Sequence, residues 1–187
     1  MTPLVYGRAS EAFFRGVHPR VVAVARRALE LSSATVERLD WSIVDGLRTV
    51  EQQAKLVELG KSHNPLSPHL LQPSGFGEAL DFRIWLGKGV SPFPLKGDSP
   101  AIVREKLSRH ERVAALWFQA ADELDVPWQW GNDWDADGIP TGRDPDEKGM
   151  LQDMVHMQMA SKRREAQARA RRLERIALRA SGVPVVS

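Results

Sequence analysis

Strict alternation of apolar and polar residues at two separated places most constrains how this chain can fold. Leu80, Phe82 and Ile84 are interleaved with Asp81 and Arg83, and Val155, Met157 and Met159 with His156 and Gln158. Successive side chains of a strand point to opposite faces, so each stretch predicts a strand with one face buried and one polar face presented. Asp81 and His156 fall on the presented faces. Trp41, Ile43 and Asp45 alternate in the same way, and Val126 to Trp130 is a further short strand candidate.

Helical spacing fills the intervals. Pro19 follows His18, and Val21, Ala25, Ala28 and Leu29 recur on one face, which predicts a helix over 19–31 with proline in its opening turn. Thr49 with Gln52 makes a capping box, Val50, Ala54 and Val57 form an apolar face, and Gly60 is a stop, giving a helix over 50–59. Ser108 and Glu111 make a second box, after which Val113, Leu116, Trp117, Ala120, Ala121 and Leu124 trace a broad stripe as far as Asp125. Residues 87–100 and 131–150, rich in turn-forming residues, read as surface excursions. Residues 61–78 hold three prolines, two glycines and two histidines without periodicity, a length of loop that points to function. The order of elements predicts an α+β fold with a small antiparallel sheet and flanking helices.

The 187 residues suit one domain with an appendage, here a body over 1–160 and a tail over 161–187. No apolar run approaches the ~18 residues of a membrane span, and a 42% hydrophobic, 27% charged composition excludes collagen-like and wholly disordered chains. Lys162 to Ala180 carries eight basic residues against Glu165 and Glu174, so the remaining chain is mildly acidic although the net charge is +2. That asymmetry argues against nucleic-acid binding by the body. Ala166, Ala170, Leu173, Ala177 and Ala180 follow helical spacing, which predicts a basic amphipathic C-terminal helix suited to anionic outer-membrane lipid or simply to solvent. The N-terminus has no basic and apolar pattern of a signal peptide, and a monomer is the expectation.

With no cysteine, any metal must rest on His, Asp and Glu. His69 in the long loop and Asp81 and His156 on polar strand faces form a candidate triad, and two histidines with one carboxylate suit a catalytic zinc. Asp153, three residues before His156, is expected in the turn before that strand, where a base would lean over the metal. Such triples are common in a chain with five histidines, so spacing leaves surface histidines as the alternative reading. His18 and His110 near helix starts and His63 in a loop read as surface or capping residues. Asp133 suits a turn-stabilising role. Trp128, Trp130 and Trp134 suit either a substrate groove or the core.

The order of the surrounding residues adds to this. Ser67-Pro-His69, Gly77-Glu-Ala79-Leu-Asp81, Trp130-Gly-Asn-Asp133-Trp134 and Asp153-Met-Val-His156 resemble the motifs of the D-Ala-D-Ala metallopeptidase superfamily of VanY-type zinc peptidases. The chain looks most like the phage L-alanyl-D-glutamate peptidases, a class of endolysin, with Gly16-Val-His-Pro19 and Gly46-Leu-Arg48-Thr extending the likeness over roughly residues 16–159. The resemblance implies a hedgehog-like fold, Zn2+ held by His69, Asp81 and His156, and Asp153 as general base. It also implies Arg48 near substrate carbonyl or carboxylate groups, with Ser67 and Trp130 beside the substrate. Three departures stand out: Leu70 to Phe76 lengthens the spacing after His69, Glu78 stands where relatives often carry histidine, and Met157 replaces the usual aromatic after the final ligand.

The implied activity is hydrolysis of the L-Ala-D-Glu bond of bacterial peptidoglycan, by a protein held in the host cytoplasm and acting in the periplasm after holin-type release. Two rivals share the motifs: a D-Ala-D-Ala carboxypeptidase, and a non-catalytic cell-wall binding module of the same fold.

Overall fold

The computed structural model describes residues 2–133 and 153–160. In chain order these form α1 (Arg8–Phe13), α2 (Pro19–Ala34), β1 (Trp41–Asp45), α3 (Val50–Glu58), β2 (Ala79–Ile84), α4 (Pro100–Glu123), β3 (Trp128–Trp130) and β4 (His156–Met159). The strands make one antiparallel sheet in the order β1-β2-β4-β3. This is the α+β architecture that the alternation predicts. The basic C-terminal segment, Trp134 and most of the 131–150 excursion lie outside the described residues.

The three longer helices each begin on a local signal. At α2 the His18 side chain accepts from the Arg20 amide and Pro19 takes a first-turn position that needs no amide proton. At α3 the Thr49 hydroxyl accepts from Gln52 N while Thr49 N donates to Gln52 Oε1, completing the expected box. The interior of α3 differs from expectation. Val50 and Ala54 are exposed, and the one buried residue of the helix is Gln53. Hydrogen bonds to Arg48 Nη1, Ser62 Oγ and the Asn64 carbonyl anchor that glutamine in place of an apolar stripe.

Helix α4 starts well before Ser108, because Ser99 caps it and Pro100 opens it. Ser108 lies inside and takes a hydrogen bond from Arg112. Consequently His110 is neither a surface nor a capping residue. It is fully buried, stacks on Phe93 with ring centroids 5.5 Å apart, and bonds through Nδ1 to the Lys106 carbonyl. Helix α1, which has no apolar stripe to announce it, packs against β1 with Ser10 Oγ accepting from Ile43 N.

The core lies between the sheet and the α2–α4 pair. Val21, Val24, Ala25, Ala28 and Leu29 of α2 meet Val113, Ala114, Trp117, Ala120 and Ala121 of α4 over Trp41, Ile43, Leu80, Phe82 and Met157. Trp117 stacks on Phe82 and Trp128 at centroid distances of 5.9 Å and 5.7 Å. This layer buries one sheet face, so the polar residues of β2 and β4 face the other way. No described helix is long and apolar enough to cross a membrane.

Candidate metal centre and active site

Sheet register brings two of the three candidate ligands together. Asp81 of β2 is paired directly with His156 of β4, and directly opposed residues project from the same face with Cβ atoms about 4.5–5.5 Å apart. The third, His69, comes from the long loop between α3 and β2. Its backbone is pinned by Arg48 N donating to His69 O at 2.8 Å and by His69 N donating to Ser67 Oγ at 3.3 Å. Its ring is fixed by Nδ1 against the Gly46 carbonyl at 2.7 Å. Glycine is required at 46, since a Cβ would stand 2.1 Å from the Phe13 carbonyl oxygen.

A carbonyl oxygen only accepts, so His69 Nδ1 carries the proton and Nε2 presents a lone pair. That nitrogen lies 3.1 Å from His156 Nδ1 and 3.2 Å from Asp81 Oδ1, and Asp81 Oδ1 lies 3.0 Å from His156 Nδ1. A carboxylate and two imidazole nitrogens converging this closely repel one another unless positive charge stands among them. Burial opposes the charge on Asp81, yet the His69 and His156 rings outweigh it and hold the carboxyl far below the usual carboxylate range. Burial likewise opposes a charged His156, and Asp81 reverses that effect and raises its pKa. The ligand atoms of the triad all lie within 4.8 Å of one another, so this buried His-Asp-His group can hold a metal ion.

Asp153 reaches the same place through a close backbone approach. Asp153 N donates to Gly131 O and Gly131 N to His156 O, and a Cβ on Gly131 would meet Asp153 O at 2.7 Å. The Trp-Gly pair thereby seats the turn before β4 against β3. Burial, then the nearby Asp81 charge, raises the Asp153 pKa above its ordinary value. The triad and Asp153 line a cavity of about 920 Å³, together with Arg48 and Ser67.

Arg48 is an internal clamp. Its Nε donates to Asp45 Oδ2, Nη1 to Gln53 Oε1 and Nη2 to Asp81 Oδ2. A bulge in β1 opposes Asp45 to Asp81, and the guanidinium neutralises the two carboxylates that the bulge brings together. Trp130, in contrast, belongs to the core: it is buried, its indole Nε1 donates to Met154 O, and it is not part of the cavity wall. His63 and Glu78 lie on that wall. Ser74 Oγ donates to Glu78 Oε1, tying the lengthened loop to the start of β2. Asp133 closes a turn, its amide donating to Trp130 O.

Three glutamines bonded to or near the site residues are not among those the motifs point to: Gln53, Gln129 and Gln158. For Gln158 the signal was present, because alternation puts it on the same face as His156. Gln53 had none, since its partners lie in a loop without periodicity.

Convergent lone pairs beside the half-buried Asp153 carboxylate, lining an open cleft, define a protein of the metal-site class. The comparisons narrow this to a peptidase. A family model described as phage L-alanyl-D-glutamate peptidase matches residues 3–160, and the chain belongs to that family. The L-alanyl-D-glutamate peptidase of Escherichia phage T5 is 32% identical over 136 residues, covering 71% of this chain and 83% of that protein. The crystal structure of the Serratia marcescens L-Ala D-Glu endopeptidase ChiX is similar with a TM-score of 0.57 and 25% identity, over 83% of this chain and 90% of that one.

Proposed function

We propose that this chain is a zinc-dependent endopeptidase that cuts the L-Ala-D-Glu bond of peptidoglycan stem peptides. The observation that carries the reading is the meeting of His69 Nε2, Asp81 Oδ1 and His156 Nδ1 around a point that requires positive charge. Two nitrogens and a carboxylate oxygen, without a fourth protein ligand among the described residues, match the donor set of a catalytic zinc site. Bound there, zinc supplies a Lewis acid for the scissile carbonyl and makes water a usable nucleophile near neutral pH.

The chain's own groups do the rest. Asp153 is the general base, taking a proton from the attacking water and passing it to the departing amine nitrogen. Its raised pKa suits both transfers, because a base poised closer to the working pH also returns the proton readily. Arg48 holds Asp81 in its ligating orientation, and Ser67 sets the backbone that presents His69. The stem peptide lies in the cleft these residues line.

The site of action is the periplasmic cell wall, reached from the host cytoplasm through a holin-type lesion. The basic stretch over 162–180 contacts anionic outer-membrane lipid.

Digestion of purified sacculi, with chelator and then with added zinc, tests the activity. New L-Ala carboxyl and D-Glu amino termini that vanish with chelator and return with zinc are the expected result. Release of D-Ala alone would replace this reading with a carboxypeptidase, and wall binding without any product would replace it with a binding module.

A further inference from the structure

His156 presents Nδ1 to the triad, so its other nitrogen faces away from it, along the same sheet face. There Nε2 meets Gln158 Oε1 at 2.8 Å, and Gln158 Nε2 donates to Gln129 Oε1 at 3.0 Å. Gln158 sits two residues along β4 on the face that carries His156, and it is paired directly with Gln129 of β3. Gln129 is fully buried.

We propose that Gln129 and Gln158 form a positioning relay that selects the metal-competent tautomer of His156; the inference rests on reading the triad as a metal site. The polarity of the relay decides the matter. Because the Gln158 amide nitrogen is committed to Gln129 Oε1, the atom it turns toward His156 is oxygen, which only accepts. The His156 proton therefore sits on Nε2, and Nδ1 keeps its lone pair for a cation. A reversed Gln158 amide would aim N–H at Nε2, move the ring proton to Nδ1, and point that proton at His69 Nε2 and Asp81 Oδ1. Gln129 is what prevents the reversal. His69 reaches the same end with the opposite tautomer, its Nδ1–H held by the Gly46 carbonyl. Partners on the non-ligating nitrogen of a metal-bound histidine fix ring orientation and tautomer in this way.

Two readouts test the relay on the full chain. The first is zinc affinity, measured by competition with a chromophoric chelator. Gln158→Leu is expected to weaken zinc binding by about 10–100-fold, as loss of such partners does elsewhere. Gln129→Leu weakens it less, and the double variant binds no more weakly than Gln158→Leu alone, because both residues act along one line. Gln158→Glu offers oxygen whichever way the carboxylate turns. It therefore retains affinity, and it makes Gln129→Leu silent when the two are combined.

The second readout is the nitrogen chemical shifts of the imidazoles in the unaltered, zinc-loaded protein, which must show metal on Nδ1 with a proton on Nε2 at His156, and metal on Nε2 with a proton on Nδ1 at His69. Zinc bound through Nε2 of His156, wild-type affinity in Gln158→Leu, or full additivity of the two leucine variants would each overturn the relay. Wild-type protein that holds no zinc would instead overturn the metal reading, and the relay with it.

Discussion

His69 and His156 meet at one point but are held there by different parts of the molecule. His69 hangs from a loop, and backbone fixes it: the Gly46 carbonyl takes its ring proton, Arg48 N its carbonyl oxygen, and Glu78 N reaches the neighbouring Pro68 carbonyl. His156 rides on a paired strand, and side chains fix its ring, through Gln158 and then Gln129. A loop has no ladder to orient it, so its ligand needs several backbone bonds at once. A strand is oriented by pairing, so only the ring's rotation and tautomer are left for side chains to set. The backbone-held half therefore depends on glycine at a crowded position, and the strand-held half on amide polarity.

The largest expected effect separates holding from chemistry. Asp153→Asn should lower kcat by about 10²–10⁴-fold while both halves keep zinc, as loss of a general base does. The same variant should not destabilise the fold. A carboxyl whose folded pKa is raised contributes stability at pH below its unfolded value, near 3.8, and loses it as pH rises through the folded value. At neutral pH the buried charge is thus a cost, and thermal melts with chelator present should show Asn equal to or above wild type. A Tm well below wild type would show that Asp153 supports the site structurally.

Breaking the backbone-held half should have an intermediate effect. Gly46→Ala drives a methyl onto the Phe13 carbonyl, and overpacking of that kind costs about 1–3 kcal/mol. The melt should shift down with chelator present, and zinc affinity should fall with it. Loss of affinity without loss of stability would mean that the backbone half behaves like the strand half.

The smallest effect is a control remote from both halves. Burial lowers the His110 pKa, so His110 contributes stability that is complete above its unfolded pKa of about 6.5 and is lost as pH falls through the depressed folded value. Melts of wild type with chelator should therefore decline on acidification more steeply than those of His110→Phe. Parallel pH profiles would remove His110 from the acid response.

Much of the fold was legible because its signals are local. Alternation located β1, β2 and β4, Pro19 opened α2, and the Thr49 box opened α3. The start of α4 was not legible in the same way. The Gly-Pro-rich stretch before it hides the cap at Ser99 and Pro100, so local pattern puts His110 at a surface it does not occupy. Helix α1, only six residues long, is held by contacts with β1 that no local pattern announces. Within the site, Asp81 and His156 follow from parity. Trp130 shows the limit of parity and motif: an aromatic in the right motif turned inward because Met154 O satisfies its indole in the core.

By itself the sequence determined the types of the elements other than α1, the face on which Asp81 and His156 lie, and a set of motifs specific enough to point to the family, because all of these depend on the order of neighbouring residues. Only the tertiary structure decided that Asp81 opposes His156, that Arg48 directs its donors to Asp45, Gln53 and Asp81, and that two histidines present different ring nitrogens to one point. Those depend on strand register and on partners distant in the chain, and the direction of a hydrogen bond exists only once both of its ends are in place.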